Sequence, residues 1–315
     1  MMSGGSIPFD YYGEEASAPV KIGGFEWSAR GIIIVNDRSH GKMKIFCQLE
    51  EESRTTLWNC IAVGTLSEAG EQDDTREFYQ TWNASFGTDC TEYYNEIGYC
   101  RYVTCRCDAV LTGDDSHEVH VEIVDSFCTD LADPRNALIK DPSDAVKLKI
   151  DGAEIWVSKT VLSVHSEFFA ALFKDNFNDK SQDSYDLKDL GELKLENFLQ
   201  FVGIVHCLDM RINEHSIEGL LHLGDILRAK IVLQRCSEYL IRAPVDEIPA
   251  IKNILLSDRY KLHQALSVAV DCAKTKEVKK ISSNSRFSPI AYYLMFQKLR
   301  MAEDEKTEDD EEEDW

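Results

Sequence analysis

The sequence predicts a multidomain protein in which an all-β antiparallel sandwich precedes an α/β domain and a C-terminal helical extension. Three observations carry this reading. From Lys21 to Cys128 the chain breaks into short apolar or alternating runs separated by polar, Gly-containing stretches, the rhythm of short strands. Beyond Asp133-Pro134 and Asp141-Pro142 the apolar spacing passes from strand-like alternation to a helical period. A length of 315 residues also exceeds one typical domain and leaves room for two or three separate cores.

Composition narrows the function classes. Apolar residues make up 43% and aromatics 10%, ordinary values for globular protein, and no run approaches the roughly 20 apolar residues of a membrane span. Met1 to Glu15 has neither a basic stretch nor an apolar core of the secretory type, so the expected location is cytoplasmic, nuclear or both. In that reducing environment the ten cysteines are read as thiols filling cores, and the sequon Asn83-Ala84-Ser85 goes unused. A net charge of −22 with no long basic run argues against nucleic acid. Ten carboxylates and Lys306 lie between Glu303 and Asp314, a net −9 whose removal still leaves −13. The body is therefore acidic as well, which favours a partner with basic docking surfaces.

Residues 1–18 read as a flexible leader and 19–128 as the sandwich. Candidate strands are Gly24 to Ala29, Gly31 to Val35, Met43 to Leu49, Leu57 to Leu66, Glu77 to Trp82, Tyr99 to Leu111 and His117 to Val124. In the last, Val119, Val121 and Ile123 fall on one face. Ala84 to Gly98 shows no clear period and reads as a loop. Residues 129–143 form the linker, since each proline holds its predecessor extended and ends regular pairing.

The α/β domain spans 144–243. Val146, Leu148 and Ile150 alternate, Asp151-Gly152 supplies a turn, and Ile155 to Val157 returns as the second arm of a hairpin. Leu162, His165, Phe169 and Leu172 then recur at helical spacing, widened by Val161, Phe168 and Phe173, as two short helices. A polar loop, Asn176 to Ser184, leads to a short strand at Tyr185 to Leu187. Helices follow at Leu195 to Val205, after a Ser216 cap, and at Ile231 to Ile241. Residues 244–301 read as a helical extension through Ile248 to Ser257, Leu262 to Ala273 and Pro289 to Leu299. Residues 302–315, almost wholly acidic, lack the apolar surface to repay ordering and are expected to be disordered.

Little in the chain points to catalysis, metal or cofactor. Cys105 and Cys107 share a strand face near Cys100 without a second pair, where zinc wants four convergent ligands. His117 and His120 are three apart in a strand, not four apart in a helix. No nucleophile elbow, phosphate loop or dinucleotide fingerprint occurs, and the protein is read as a non-enzyme without metal or cofactor.

The second half resembles the BTB (POZ) family. The likeness rests on Val146-x-Leu148-x-Ile150, Asp151-Gly152, Val157-Ser158-Lys159, Leu162, Ser166-x-Phe168-Phe169-x-x-Leu172-Phe173, Leu187-x-Asp189 and Leu195-x-x-Phe198. It continues through Leu220-Leu221-x-Leu223-x-Asp225 and Cys236-x-x-Tyr239-Leu240. The first half is similar to a MATH (TRAF-C-like) sandwich at Gly24-Phe25-x-Trp27 and Leu57-Trp58-x-Cys60-x-Ala62, and the domain order matches MATH-BTB proteins.

The resemblance implies a homodimer through Val161, Leu162, His165, Phe168 and Phe169. It implies cullin-3 binding through Phe177 and Asp179 in the loop after the second short helix, with His206 in the following turn. In that turn the family's Tyr-x-Gly is His206-Cys207-Leu208, and the family's usual His before Lys159 is Ser158. Phe177 has an alternative as a loop residue folded onto its own core. Tyr79, Trp82, Phe86, Tyr93, Tyr94, Tyr99 and Tyr102 either line a client-peptide cleft or fill the core. The implied role is a ubiquitin-ligase adaptor that binds client protein and cullin; a dimeric BTB scaffold without a ligase is the alternative.

Overall fold

A computed structural model describes residues 3–9, 15–33, 41–68, 78–88, 92–97, 117–175, 184–191, 193–245, 247–282 and 287–312. The chain divides into two compact units. Met1–Ser158, Asp183–Asp189 and Val202–Arg211 make the first, and Lys159–Gln182, Leu190–Phe201 and Ile212–Trp315 the second.

The first unit contains two four-stranded antiparallel sheets. One has the order β1 (Gly4–Phe9), β8 (His117–Asp130), β5 (Thr56–Glu68), β6 (Phe78–Gly87). The other runs β2 (Val20–Ile22), β3 (Phe25–Ile33), β4 (Gly41–Leu49), β7 (Glu92–Ile97). Alternation sends Phe25, Trp27 and Ala29 of β3, Met43, Ile45 and Cys47 of β4, and Trp58, Cys60 and Ala62 of β5 into one shared core. Trp27 meets Phe86 edge to face at 5.2 Å, and its indole N–H donates to the Ile22 carbonyl at 3.3 Å, so this fully buried ring keeps its polar atom paired. Gly23 and Gly24, at φ of 61° and 85°, make the tight β2–β3 turn, a conformation open to glycine.

A third sheet belongs to the same unit: β10 (Ala153–Ser158), β9 (Ala145–Ile150) and β11 (Ser184–Asp186), with β10 antiparallel and β11 parallel to β9. Asp151 and Gly152, both at positive φ, close the hairpin as their residue types predict. Val146, Leu148, Ile150, Ile155 and Val157 are all buried.

Residues 131–143, which fall in the expected linker, are ordered turns leading into a short 3-10 helix at Pro142–Asp144, and they bind both neighbours. The Trp156 N–H donates to the Leu131 carbonyl at 2.7 Å, and the buried Asn136 amide donates to the Trp156 carbonyl at 3.0 Å. Together they pair both outward backbone groups of Trp156, in the middle of the outer edge of β10. Arg54, beside the start of β5, adds an exposed ion pair to Asp151 at 2.8 Å.

The second unit is helical: α1 (Lys159–His165), α2 (Glu167–Asp175), α4 (Ile217–Ile226), α5 (Lys230–Arg242), α6 (Ala250–Arg259), α7 (His263–Cys272), α8 (Thr275–Ser282) and α9 (Pro289–Glu312), with α3 (Leu195–Val205) beginning in it. Ser166 starts α2 by accepting from the Phe169 N–H at 3.2 Å, while its own hydroxyl donates to the Leu227 carbonyl. Phe169 stacks on Phe173 at 5.5 Å and meets Phe198 edge on at 6.3 Å. Ile254, Leu266, Val270, Val278, Ala291 and Met295 form the core of α6 to α9. Ser288 caps α9, accepting from the Ala291 N–H at 3.2 Å while its own N–H and hydroxyl bind the Asp258 carboxylate.

Five sequence expectations need correction. The leader contains β1, whose Ile7 is fully buried in the sandwich core. Residues 84–98 are not one loop: β6 continues to Gly87, and β7 covers Glu92–Ile97 as an edge strand beside β4, where a polar pattern suffices. The tail is not wholly irregular, because α9 runs on to Glu312; glutamate favours helix, and the packed first turns supply the nucleus. Ser216 does not cap α4 through its side chain; its hydroxyl instead accepts from the Asn213 N–H at 3.2 Å. The described cysteines divide, with Cys47, Cys60 and Cys236 buried but Cys128, Cys207 and Cys272 exposed. The candidate strand Tyr99 to Leu111 lies outside the described residues.

If β1 is integral to the sandwich, Ile7→Ala should lose about 2–5 kcal/mol in urea unfolding, the cost of emptying a filled aliphatic site. A change within about 0.5 kcal/mol would return residues 4–9 to the status of a leader.

Candidate interaction surfaces

The α1–α2 helices carry the five residues that the sequence assigned to a dimer surface. Leu162 and Phe169 are fully buried within the protomer and have no area left for a partner. Their role is core, a correction that follows from helical geometry: in two short amphipathic helices the centre of the apolar stripe packs inward. Val161, His165 and Phe168 lie at its margins and are half-buried. Val164 is 72% exposed, a residue absent from the expected set although it stands three after Val161 and four before Phe168. Glu167, at the start of α2, faces Lys230 at 3.5 Å and Arg228 at 4.0 Å, exposed pairs that contribute little stability.

Phe177 and Asp179 lie outside the described residues. His206, half-buried, ends α3, and its turn closes without glycine. The Leu208 N–H donates to the Gly203 carbonyl at 2.9 Å and the Cys207 N–H to the Ile204 carbonyl at 3.0 Å, the paired bonds of a Schellman motif. Cys207 takes the left-handed position at φ 59°. The third residue of the turn, Leu208, is therefore not where left-handed backbone is needed, so losing a glycine there leaves the turn intact.

Directly after it, Met210 is buried against Gly203, where an added Cβ would come within 2.5 Å of its Cγ. Asp209 accepts from the Ser85 hydroxyl at 3.0 Å, tying this segment to β6.

The aromatic set divides between core and surface candidates. Trp82, 4% exposed, and Phe86, fully buried, belong to the sandwich core, so Trp82 is corrected from a client contact to a packing residue. Tyr79 lies on β6, and Tyr93 and Tyr94 lie on β7 in register with Ile45 and Lys44 of β4. Tyr99 and Tyr102 lie outside the described residues.

Burial pushes the Cys236 thiol up to about 12 and the Cys47 thiol upward beside Cys60, so both stay protonated and unreactive at neutral pH. Among the described residues no three His, Cys, Asp or Glu side chains converge as a metal would require; Cys100, Cys105 and Cys107 lie outside them. No helix among the described residues is long and apolar enough to cross a membrane.

A hairpin extended by a parallel third strand, followed by short helices and the stack of Phe169, Phe173 and Phe198, accords with one family model: residues 140–243 match the BTB/POZ domain. The chain carries a BTB domain behind an antiparallel sheet region. Its relatives bear out the MATH-BTB resemblance. It is 24% identical over 301 residues to BTB and MATH domain-containing protein 36 of Caenorhabditis elegans, covering 89% of this chain and 90% of that one. BTB and MATH domain-containing protein 38 of the same species is 27% identical over 115 residues, 36% of this chain and 28% of its own length. Kelch repeat and BTB domain-containing protein 4 of Mus musculus is 22% identical over 150 residues, 48% of this chain and 27% of its own length.

The division between core and margin predicts a contrast. Leu162→Ala should cost about 2–5 kcal/mol in chemical unfolding, whereas Val164→Ser should stay within about 0.5 kcal/mol. Equal effects of the two on stability would contradict the assignment.

Proposed function

We propose that this protein is a non-enzymatic substrate-recognition adaptor of a cullin-3 RING ubiquitin ligase. The observation that carries the reading is the BTB domain at 140–243 set behind an all-β sandwich, in a chain aligned over 89% of its length with a protein named for BTB and MATH domains. On this reading the sandwich is a MATH domain holding an extended client segment through Tyr79, Tyr93, Tyr94, Tyr99 and Tyr102. Val161, Val164, His165 and Phe168 pair two protomers about a twofold axis, giving two client sites whose avidity offsets weak single-site binding. Cullin-3 is held by the Phe177–Asp179 loop and the turn at His206, an apolar anchor with an orienting charge. The adaptor makes and breaks no bond. It holds client lysines beside a charged ubiquitin carrier and so raises their effective concentration.

The residue order His206-Cys207-Leu208 motivates a second reading, a BTB scaffold that dimerises and links partners without a ligase. That order removes the family's tyrosine from the contact and with it apolar area. Cullin co-purification separates the two readings.

Affinity purification of the full chain from cytoplasmic and nuclear extracts, with quantitative mass spectrometry, tests the ligase reading. Phe177→Ala should lower cullin-3 recovery at least about tenfold, the loss of one interface anchor, while client recovery persists. No cullin with the wild type would leave only the scaffold, and unchanged recovery with the variant would remove Phe177 as the anchor.

A further inference from the structure

α9 carries two unlike stretches of sequence in series. Its inner face, with Ala291 and Met295 fully buried, closes the core of α6 to α8. On the other side Ile290, Tyr293, Phe296 and Met301 are 46%, 62%, 63% and 62% exposed. Half of the eight large apolar residues exposed among the described residues thus lie within twelve positions of one helix, a clustering that scattered surface hydrophobics do not show. At about 100° per residue Ile290, Tyr293 and Met301 share one face, flanked by Phe296, over a length of about 16 Å. The same helix continues from Glu303 to Glu312, where the sequence holds eight carboxylates and one lysine.

We infer that the outer face of α9 is a docking surface for a basic amphipathic helix of a partner protein, apolar side chains on Ile290, Tyr293, Phe296 and Met301 and lysines or arginines beside the acidic turns. Charge selects this occupant. A second copy would bring another chain of net charge −22. An anionic lipid surface would be repelled by the same carboxylates. A cationic helix of about 20 residues matches the combined length of the apolar and acidic stretches and is attracted along the second.

The probe is a fluorescein-labelled 20-residue peptide with leucines at helical spacing in one half and lysines in the other, beside a scrambled peptide of equal composition. Fluorescence anisotropy with the full chain should show binding of the patterned peptide at least tenfold tighter than of the scrambled one. The double variant Tyr293→Ser, Phe296→Ser should lose at least tenfold in affinity with an unchanged Tm. Deleting residues 303–315 should weaken binding and flatten its salt dependence. No binding, equal binding of the two peptides, or a double variant that binds as the wild type does would overturn the proposal. So would a twofold mass in light scattering that reverts in the double variant, since the occupant would then be a second copy.

Discussion

The first unit depends on how the outer edge of β10 is satisfied. A strand at a sheet edge exposes alternate N–H and C=O groups, and leaving them buried and unpaired would cost more than most single contacts return. Here Trp156 gives its N–H to Leu131 and its carbonyl receives the amide of Asn136, whose own oxygen accepts from the Leu138 N–H at 3.1 Å. Because Asn136 lies in the segment that follows β8, the bonds that seal the BTB sheet also tie it to the sandwich. The Asp209–Ser85 hydrogen bond and the seating of Met210 beside Gly87 extend that tie along β6.

Much of this was legible in the residues. Val146, Leu148 and Ile150 announce a strand with one buried face, Asp151-Gly152 its turn, and Phe168-Phe169 with Leu172-Phe173 the helix that follows. These are local periodicities, and local periodicity survives in any context. β1 was not legible because Gly4-Gly5-Ser6 carries little strand propensity; Ile7 acquires its meaning only from β8, more than a hundred positions away in the chain. β7 was missed for the same reason, since an edge strand answers to β4 and not to its own pattern. Helix in the acidic stretch comes from continuity with a packed helix, which its own charge pattern does not show.

The candidate site was legible in outline and less so residue by residue. An apolar stripe tells which side of a helix is oily but not which of its members stop at the core. Leu162 and Phe169 go inside, Val161 and Phe168 stay at the edge, and Val164 stands outside altogether. Trp82 shows the same limit in a strand, where an aromatic suits a cleft or a core equally until the opposite sheet is known. The turn at Cys207 was harder still: its left-handed backbone is imposed by the two hydrogen bonds that finish α3, and the residue type gives no sign of it.

The proposed function requires this BTB domain to join two protomers and engage a cullin at once. Sedimentation velocity of the purified full chain mixed with the purified N-terminal domain of cullin-3 measures that directly. A species containing two copies of each is expected. A boundary in which the two proteins sediment independently would contradict it.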